Sequence, residues 1–381
     1  MITKLSAECD FEKLLSQIGV DNTGIKILAK KSEMLHFFIK NLNIKAANIL
    51  KQDALSVGAD LAVSKGVAAM SVEATDAVLF CTPSQLEKLI KKESIQPFGL
   101  KALSSELAAF AKAKSQMHPQ IMGILNINED SFFKSSRTSS SEFEDRFLQM
   151  AEYGADIIDI GAVSSRPGSI YPGEDEELRR LEGVFETITK ASLAKKVRLS
   201  LDTFSPRVAQ AALECGFGII NDITGLRDDA LADVCGKYNA EVVIMHMDKD
   251  PQNMQKEPHY DDLFCSLDSF FEERIKKAQS FGIKNILLDV GIGFGKTLEH
   301  NLSLIKNLSN FGKHGFALLV GASRKSMIDA ISRSAVEDRL GGTLSIHQKA
   351  LDNGASIIRC HDVKEHVQML RVWQALKDIT I

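Results

Sequence analysis

From Ile121 onward the hydrophobic positions fall into eight short runs: IMGILNI, IIDIGA, VRLSLDT, GIINDITG, VVIMHM, ILLDVG, FALLVGAS and IIRCHD. Each is rich in β-branched residues, and segments of helical pattern separate them. The runs are nearly continuous rather than alternating, as expected of parallel strands covered on both faces, and the spacers mostly suffice for right-handed helical crossovers. Eight such units in about 250 residues predict an α/β fold, a (β/α)8 TIM barrel, over residues 118–381.

Residues 1–117 carry a different pattern. DFEKLLSQI, MLHFFIKNL and QLEKLIKKE predict amphipathic helices, TDAVLFC a strand, and SSELAAFAKAKSQ a connecting helix that ends near His118-Pro119. The expectation is a small N-terminal α/β domain of unknown role, its charged residues forming solvated helix faces. SSRTSSS, from Ser135 to Ser141, is of low complexity and predicts a flexible polar loop just after the first barrel strand.

Composition narrows the classes of partner. The net charge of −4, with acids and bases interspersed, argues against a nucleic-acid surface or a polybasic membrane anchor and for small-molecule partners. The six cysteines show no metal-ligand spacing, which suggests reduced thiols in a cytoplasmic protein. Neither a signal peptide nor a membrane span is expected.

In such a barrel the chemistry lies at the C-terminal ends of the strands. Here the first run ends in Asn126, followed by Asp130 and Ser131, and the second leads into a loop with Arg166. The third ends in Asp202-Thr203, the fourth in Asn221-Asp222, the fifth in Met245-His246 and the sixth in Asp289. Ser323-Arg324-Lys325-Ser326 follows the seventh, and the eighth contains Arg359 and His361. Singly, an aspartate after a strand is most often a helix cap or turn former, and a histidine a satisfied core residue. Independent caps would not, however, deliver ligand-capable side chains to every strand end.

The stretch LLDVGIGFGKTLEHN (Leu287 to Asn301) resembles a nucleotide loop but has the wrong spacing. A P-loop needs glycine where Val290 stands, and a dinucleotide fingerprint needs glycine where Lys296 stands. Asp289 is instead a rim residue. Gly291, Gly293 and Gly295 permit a sharp turn and close approach to a ligand, Phe294 offers an apolar face, and Thr297 caps the following helix. Lys296 reads as a turn or surface residue.

These motifs in order, MGILNIN with DSF, DIIDIGAVSSRPG, SLDT, INDITG, MHM, LDVGIGFGKTLEHNL, GASRKS and RCHDV, resemble dihydropteroate synthases over about residues 120–378. The resemblance implies condensation of 6-hydroxymethyl-7,8-dihydropterin pyrophosphate with 4-aminobenzoate, giving 7,8-dihydropteroate and pyrophosphate in folate synthesis, and a target of sulfonamides. It implies a pterin site of Asp202, Asn221, Met245, Asp289, Phe294 and Lys325. A pyrophosphate site would comprise Asn126, Arg359 and His361, with Mg2+ held by Asn126. An aminobenzoate site would comprise Arg166, Pro167 and Ser326. Asn126, Lys325, Arg359 and His361 are the implied catalytic residues, and a barrel-mediated homodimer the implied assembly.

The chain departs from the usual pattern in two loops. NINEDSFFKSS stands where NVTPDSFSDGG is usual, and GAVSSRPG where GGESTRPG is usual. Two other readings share part of this pattern. A corrinoid-linked pterin methyltransferase would share Asp202, Asn221 and Asp289 but has no need of the Ser-Arg-Lys-Ser segment with Arg359 and His361, and no DxHxxG motif occurs. A non-catalytic pterin-binding protein would not need to keep every candidate pyrophosphate ligand.

Overall fold

The computed structural model describes residues 2–3, 5–6, 9–112, 118–127, 136–163, 169–247 and 258–379, with side chains omitted for 136–141. Two compact units emerge: Met1–Ala113 together with Val372–Ile381, and Lys114–Arg371.

In the first unit, β1 (Leu35–Asn43), β2 (Asp60–Val63) and β3 (Ala74–Cys81) form an antiparallel sheet of order β1-β3-β2. Helices Ile44–Ser56, Pro83–Glu93 and Leu100–Lys112 supply Leu50, Leu86, Leu89 and Leu100 to a core shared with Leu61 and Leu79. Thr82 and Gln85 close a capping box at the start of Pro83–Glu93. MLHFFIKNL, expected to be helical, is strand β1: its apolar run fits either period, and pairing of Leu35–Ile39 with Ala77–Cys81 decides for the strand.

The second unit is the expected barrel. Its strands are β4 (Gln120–Asn126), β5 (Ile157–Gly161), β6 (Arg198–Asp202), β7 (Ile219–Asp222), β8 (Glu241–Met245), β9 (Ile286–Asp289), β10 (Ala317–Val320) and β11 (Ala355–Cys360). Each pairs in parallel with the next, and β11 pairs with β4 to close the ring. Each of the eight apolar runs became one strand. The serine-rich segment differs from expectation: the backbone from Ser136 is already the first turns of helix Ser136–Tyr153, whose later residues Phe143 and Phe147 are fully buried. Burial of that end carries a helix through a stretch whose composition alone favours a loop.

Inside the barrel, Met122, Ile157, Ile219, Val243, Leu287, Leu319 and Ile357 meet in one buried apolar layer. Side chains two residues apart on a strand share a face. Two residues beyond that layer therefore stand Asp159, Asn221, Met245, Asp289 and Arg359, directly above a closed apolar floor. That floor is the feature of the fold on which the site rests. Leu287→Ala should destabilise the barrel by roughly 2–5 kcal/mol, measured as a lower urea midpoint; an unchanged midpoint would show that the layer is not a packed floor.

Candidate active site

Arg359 is held by two carboxylates. Its Nε donates to Asp159 Oδ2 at 2.7 Å, and its Nη2 lies 2.6 Å from the same oxygen and 3.0 Å from Asp202 Oδ2. Asp159 is fully buried; its Oδ1 accepts from Ser200 Oγ at 2.6 Å and its Oδ2 from Asn221 Nδ2 at 3.1 Å. Burial alone would draw Arg359 down, but Asp159, Asp202 and Asp289 outweigh it and hold the guanidinium above its usual range. Burial pushes Asp202 up, against the pull of Arg359 and with the help of Asp159. Asp159 and Ser200 were not among the residues expected from sequence. The available signal was a carboxylate inside a run otherwise buried on both faces, which must have a partner.

Strand register sets these groups in a row. Asn126 lies opposite Gly161, Gly161 opposite Asp202, and Asp202 opposite Asn221. A Cβ at Gly161 would lie 3.3 Å from Asn126 Oδ1 and 3.6 Å from Asp202 Cβ. The missing side chain therefore leaves a gap between Asn126 and Asp202 at the mouth.

On the other side, Asp289 is buried at the end of β9, beside Met245 in register, and its Oδ1 accepts from Gly291 N at 2.7 Å. Burial raises its carboxyl, while Lys325, the Gly291 N–H, Arg359 and Lys296 oppose the rise. Lys325 reaches back over the Phe294 ring, its Nζ 4.5 Å from the centroid, and donates to Ile292 O. Burial pulls it down to about 8, against the stabilising charge of Asp289. Met245, Ile223 and Met247 form an apolar cluster with Phe204 and Phe294 against it, a surface suited to a flat heterocycle.

The glycine turn follows from close approach. Gly291 has φ +68°, and a Cβ there would fall 2.1 Å from His246 O; at Gly293, with φ +80°, it would fall 3.0 Å from Lys325 Cδ. Thr297 caps helix Leu298–Lys306 as expected, in a capping box with His300. Lys296 is not a surface residue. It is buried, and its Nζ lies 3.1 Å from His246 Nδ1, 3.3 Å from His246 O and 3.0 Å from Phe294 O. Three acceptors satisfy an ammonium that the turn folds inward. Burial, then the Lys296 charge, lowers His246 to about 2, so this imidazole is neutral and is not a proton acceptor for chemistry near neutral pH.

Of the remaining candidates, His361 is exposed, and its Nδ1 lies 2.9 Å from Ser323 Oγ. Ser326 is exposed at the start of helix Ser326–Ile331. Arg166, Pro167, Asp130 and Ser131 lie outside the described residues. The geometry thus gathers Asn126, Asp202, Asn221, Met245, Asp289, Phe294, Lys325 and Arg359 around one mouth. It offers paired acceptors and donors for a heterocycle edge, an apolar wall, and a fixed guanidinium.

The pterin binding enzyme family model matches residues 122–361. The dihydropteroate synthase of Escherichia coli is 40% identical over 261 residues, 68% of this chain and 92% of that protein. The bifunctional dihydropteroate synthase/dihydropteroate reductase of Helicobacter pylori is 39% identical over 378 residues, covering 99% of this chain and all of that protein. Among solved structures, the Yersinia pestis dihydropteroate synthase with a sulfonamide drug complex matches with a TM-score of 0.63 and 37% identity over 68% of this chain and 94% of that one. With a barrel of this topology, and this extent of similarity, the chain belongs to the dihydropteroate synthase family of pterin-binding enzymes.

Proposed function

We propose that this enzyme makes 7,8-dihydropteroate by joining 4-aminobenzoate to the exocyclic carbon of 6-hydroxymethyl-7,8-dihydropterin pyrophosphate. The observation that carries the reading is the convergence of Asp289, Asn221 and Arg359 above one apolar floor. The pterin edge presents an amine and a ring N–H side by side, which the Asp289 carboxylate can accept as a pair. Asp202 and Asn221 meet further ring donors and acceptors, Lys325 the carbonyl edge, and Met245 with Phe294 the ring faces. Arg359 and His361 take the pyrophosphate end, and Arg166, Pro167 and Ser326 the aminobenzoate end.

The carbon–oxygen bond to pyrophosphate breaks with its electron pair leaving on oxygen. The amine nitrogen forms the new carbon–nitrogen bond and loses one proton. Arg359 and His361 stabilise the charge that develops on the leaving group. An arylamine already has a free lone pair, so the neutral, engaged His246 is no obstacle: the site needs charge neutralisation more than a strong base.

Mg2+ fits the donor set in a limited way. Among the described residues no group of three His, Cys, Asp or Glu side chains could cage a metal, whereas the Asn126 amide oxygen stands beside the Gly161 gap. One such oxygen suits a cation that keeps its waters and comes with phosphate oxygens. Asn126 would hold it, and it would supply charge neutralisation on pyrophosphate. We also take residues 1–117 to be a small α/β domain and the enzyme to be a cytoplasmic homodimer; six cysteines without a disulfide suit a reducing compartment.

A second activity has one specific support. The Escherichia coli match covers 68% of this chain, whereas the bifunctional Helicobacter pylori relative matches 99%, including nearly all of residues 1–113. We infer that this chain also reduces dihydropteroate: a hydride and a proton add across one C=N bond of the ring while a dihydronicotinamide or dihydroflavin donor is oxidised.

Incubating the protein with the pterin pyrophosphate, Mg2+ and 4-aminobenzoate should release dihydropteroate and pyrophosphate. Asp289→Ala should abolish pterin binding by calorimetry, since two ring donors would be left unpaired at about 1–3 kcal/mol each; unchanged affinity in a folded variant would remove Asp289 from the site. Lys325 loses its proton, and with it its charge, as pH rises through about 8. The profile of kcat/KM for the pterin substrate should therefore fall on that alkaline side, and a profile flat through about pH 9 would exclude Lys325 as the group responsible. Supplied with dihydropteroate and a dihydronicotinamide or dihydroflavin, the full chain should oxidise the donor in step with loss of dihydropteroate. No oxidation of either donor would leave the synthase activity alone.

A further inference from the structure

Two fully buried histidines lie outside the substrate site: His347 on helix Leu340–Asp352 and His366 on helix Val363–Asp378. Their contacts form a chain with one direction. Ala322 N–H donates to His347 Nε2 at 2.9 Å, His347 Nδ1 lies 2.8 Å from His366 Nε2, and His366 Nδ1 lies 2.6 Å from Asp362 O. A backbone N–H can only donate, so His347 Nε2 carries no proton and its proton is on Nδ1. That proton faces His366 Nε2, which must then be bare, and the His366 proton on Nδ1 goes to a carbonyl that can only accept. The end groups thus fix both rings as neutral Nδ1–H tautomers. A second proton on either ring would set two N–H groups against each other, or an N–H against the Ala322 amide. Burial, then the charges of His366 and Lys325, holds His347 well below the usual histidine range, and burial lowers His366.

The ends of the chain are two loops of the proposed substrate site, one of which carries the pyrophosphate-side His361. Ala322 precedes Ser323 and Lys325 in the loop after β10, and Asp362 follows His361 in the loop after β11. Two further ties join the same segments. Arg324 Nε and Nη2 bind Asp362 Oδ2 and Oδ1 at 2.9 and 2.6 Å, and Arg324 N, at φ +55°, donates to Thr343 Oγ1 at 3.0 Å. Ser323 Oγ in turn contacts His361 Nδ1 at 2.9 Å and accepts from His361 N at 3.3 Å. An asparagine or aliphatic residue in either helix would fill space, but neither would join the Ala322 amide to the Asp362 carbonyl through two successive acceptor–donor rings.

We propose that His347 and His366 are positioning residues: a two-imidazole relay that sets the spacing of the β10 and β11 loops, and so places Ser323 and His361 for the pyrophosphate group of the substrate. This rests on the synthase reading above, but the relay itself can be tested without it. In the histidine-labelled full-length protein near neutral pH, long-range 1H–15N correlations should show both rings neutral with the proton on Nδ1. A cationic ring, or a proton on Nε2 of either, would overturn the relay.

His347→Phe keeps the bulk and removes both bonds. It should raise KM for the pterin pyrophosphate about tenfold, while the KM for 4-aminobenzoate and the affinity for the pterin alcohol stay near wild type. His366→Gln, whose Oε1 can still accept from His347 Nδ1 but which loses the bond to Asp362 O, should raise that KM less than His366→Leu, which loses both. Should His347→Phe fail to fold, the Gln and Leu variants at 366 carry the same comparison. A lower melting temperature with all three substrate constants unchanged would reduce the pair to a structural role and overturn the proposal. A wild-type protein that makes no dihydropteroate would instead refute the synthase reading and leave the tautomer result standing.

Discussion

The grip of Asp159 on Arg359 organises the mouth of the barrel. Both oxygens of this fully buried carboxylate are in use, one by Ser200 and the other by Asn221 and Arg359. One side chain on β5 therefore fixes groups from β6, β7 and β11. Removing one partner of a buried ion pair leaves an uncompensated charge, at a cost of roughly 3–5 kcal/mol. Arg359 is consequently presented in one orientation, with Asp202 as its second partner, before any ligand arrives. Such fixed charge stabilises a leaving group without reorganisation during the reaction.

Against that fixed end, the other half of the mouth is set by backbone approach. Gly291 lets the β9 loop press against His246 O, and the same turn directs Lys296 inward to His246 and leaves Asp289 bonded to its own loop through Gly291 N. On the proposed reading, heterocycle recognition and leaving-group stabilisation rest on different physics, close packing of loops in one case and buried ion pairing in the other. Lys325 stands between them, within the influence of both Asp289 and Arg359.

Much of this was legible in the sequence, for reasons that also explain the failures. The eight barrel strands stood out because strands buried on both faces need uninterrupted apolar runs, and the rim residues because polar groups end those runs. MLHFFIKNL had no such frame: in a short apolar run only the partner strand distinguishes period 2 from period 3.6, and that partner is residues 77–81. Lys296 was misread because lysine is rarely buried, and its three acceptors come from a fold-dependent turn. The stretch from Ser136 to Ser141 took its helical backbone from the buried phenylalanines further along the helix. Asp159 sat inside IIDIG, where the apolar context drew attention from the one residue that could not be there without a partner.

Three cations, Arg359, Lys325 and Lys296, are set against three carboxylates, Asp159, Asp202 and Asp289, among the described residues. The formal charges of these six groups cancel, so as a set they add little long-range attraction for a polyanion. Discrimination is left to the moment of contact. On the proposed reading, a ligand must offer donors to Asp289 and, at the same time, anionic oxygens good enough to compete with the carboxylates already on Arg359. A free phosphate ion meets only the second demand and an unphosphorylated heterocycle only the first, so the site answers to the two chemistries joined in one molecule.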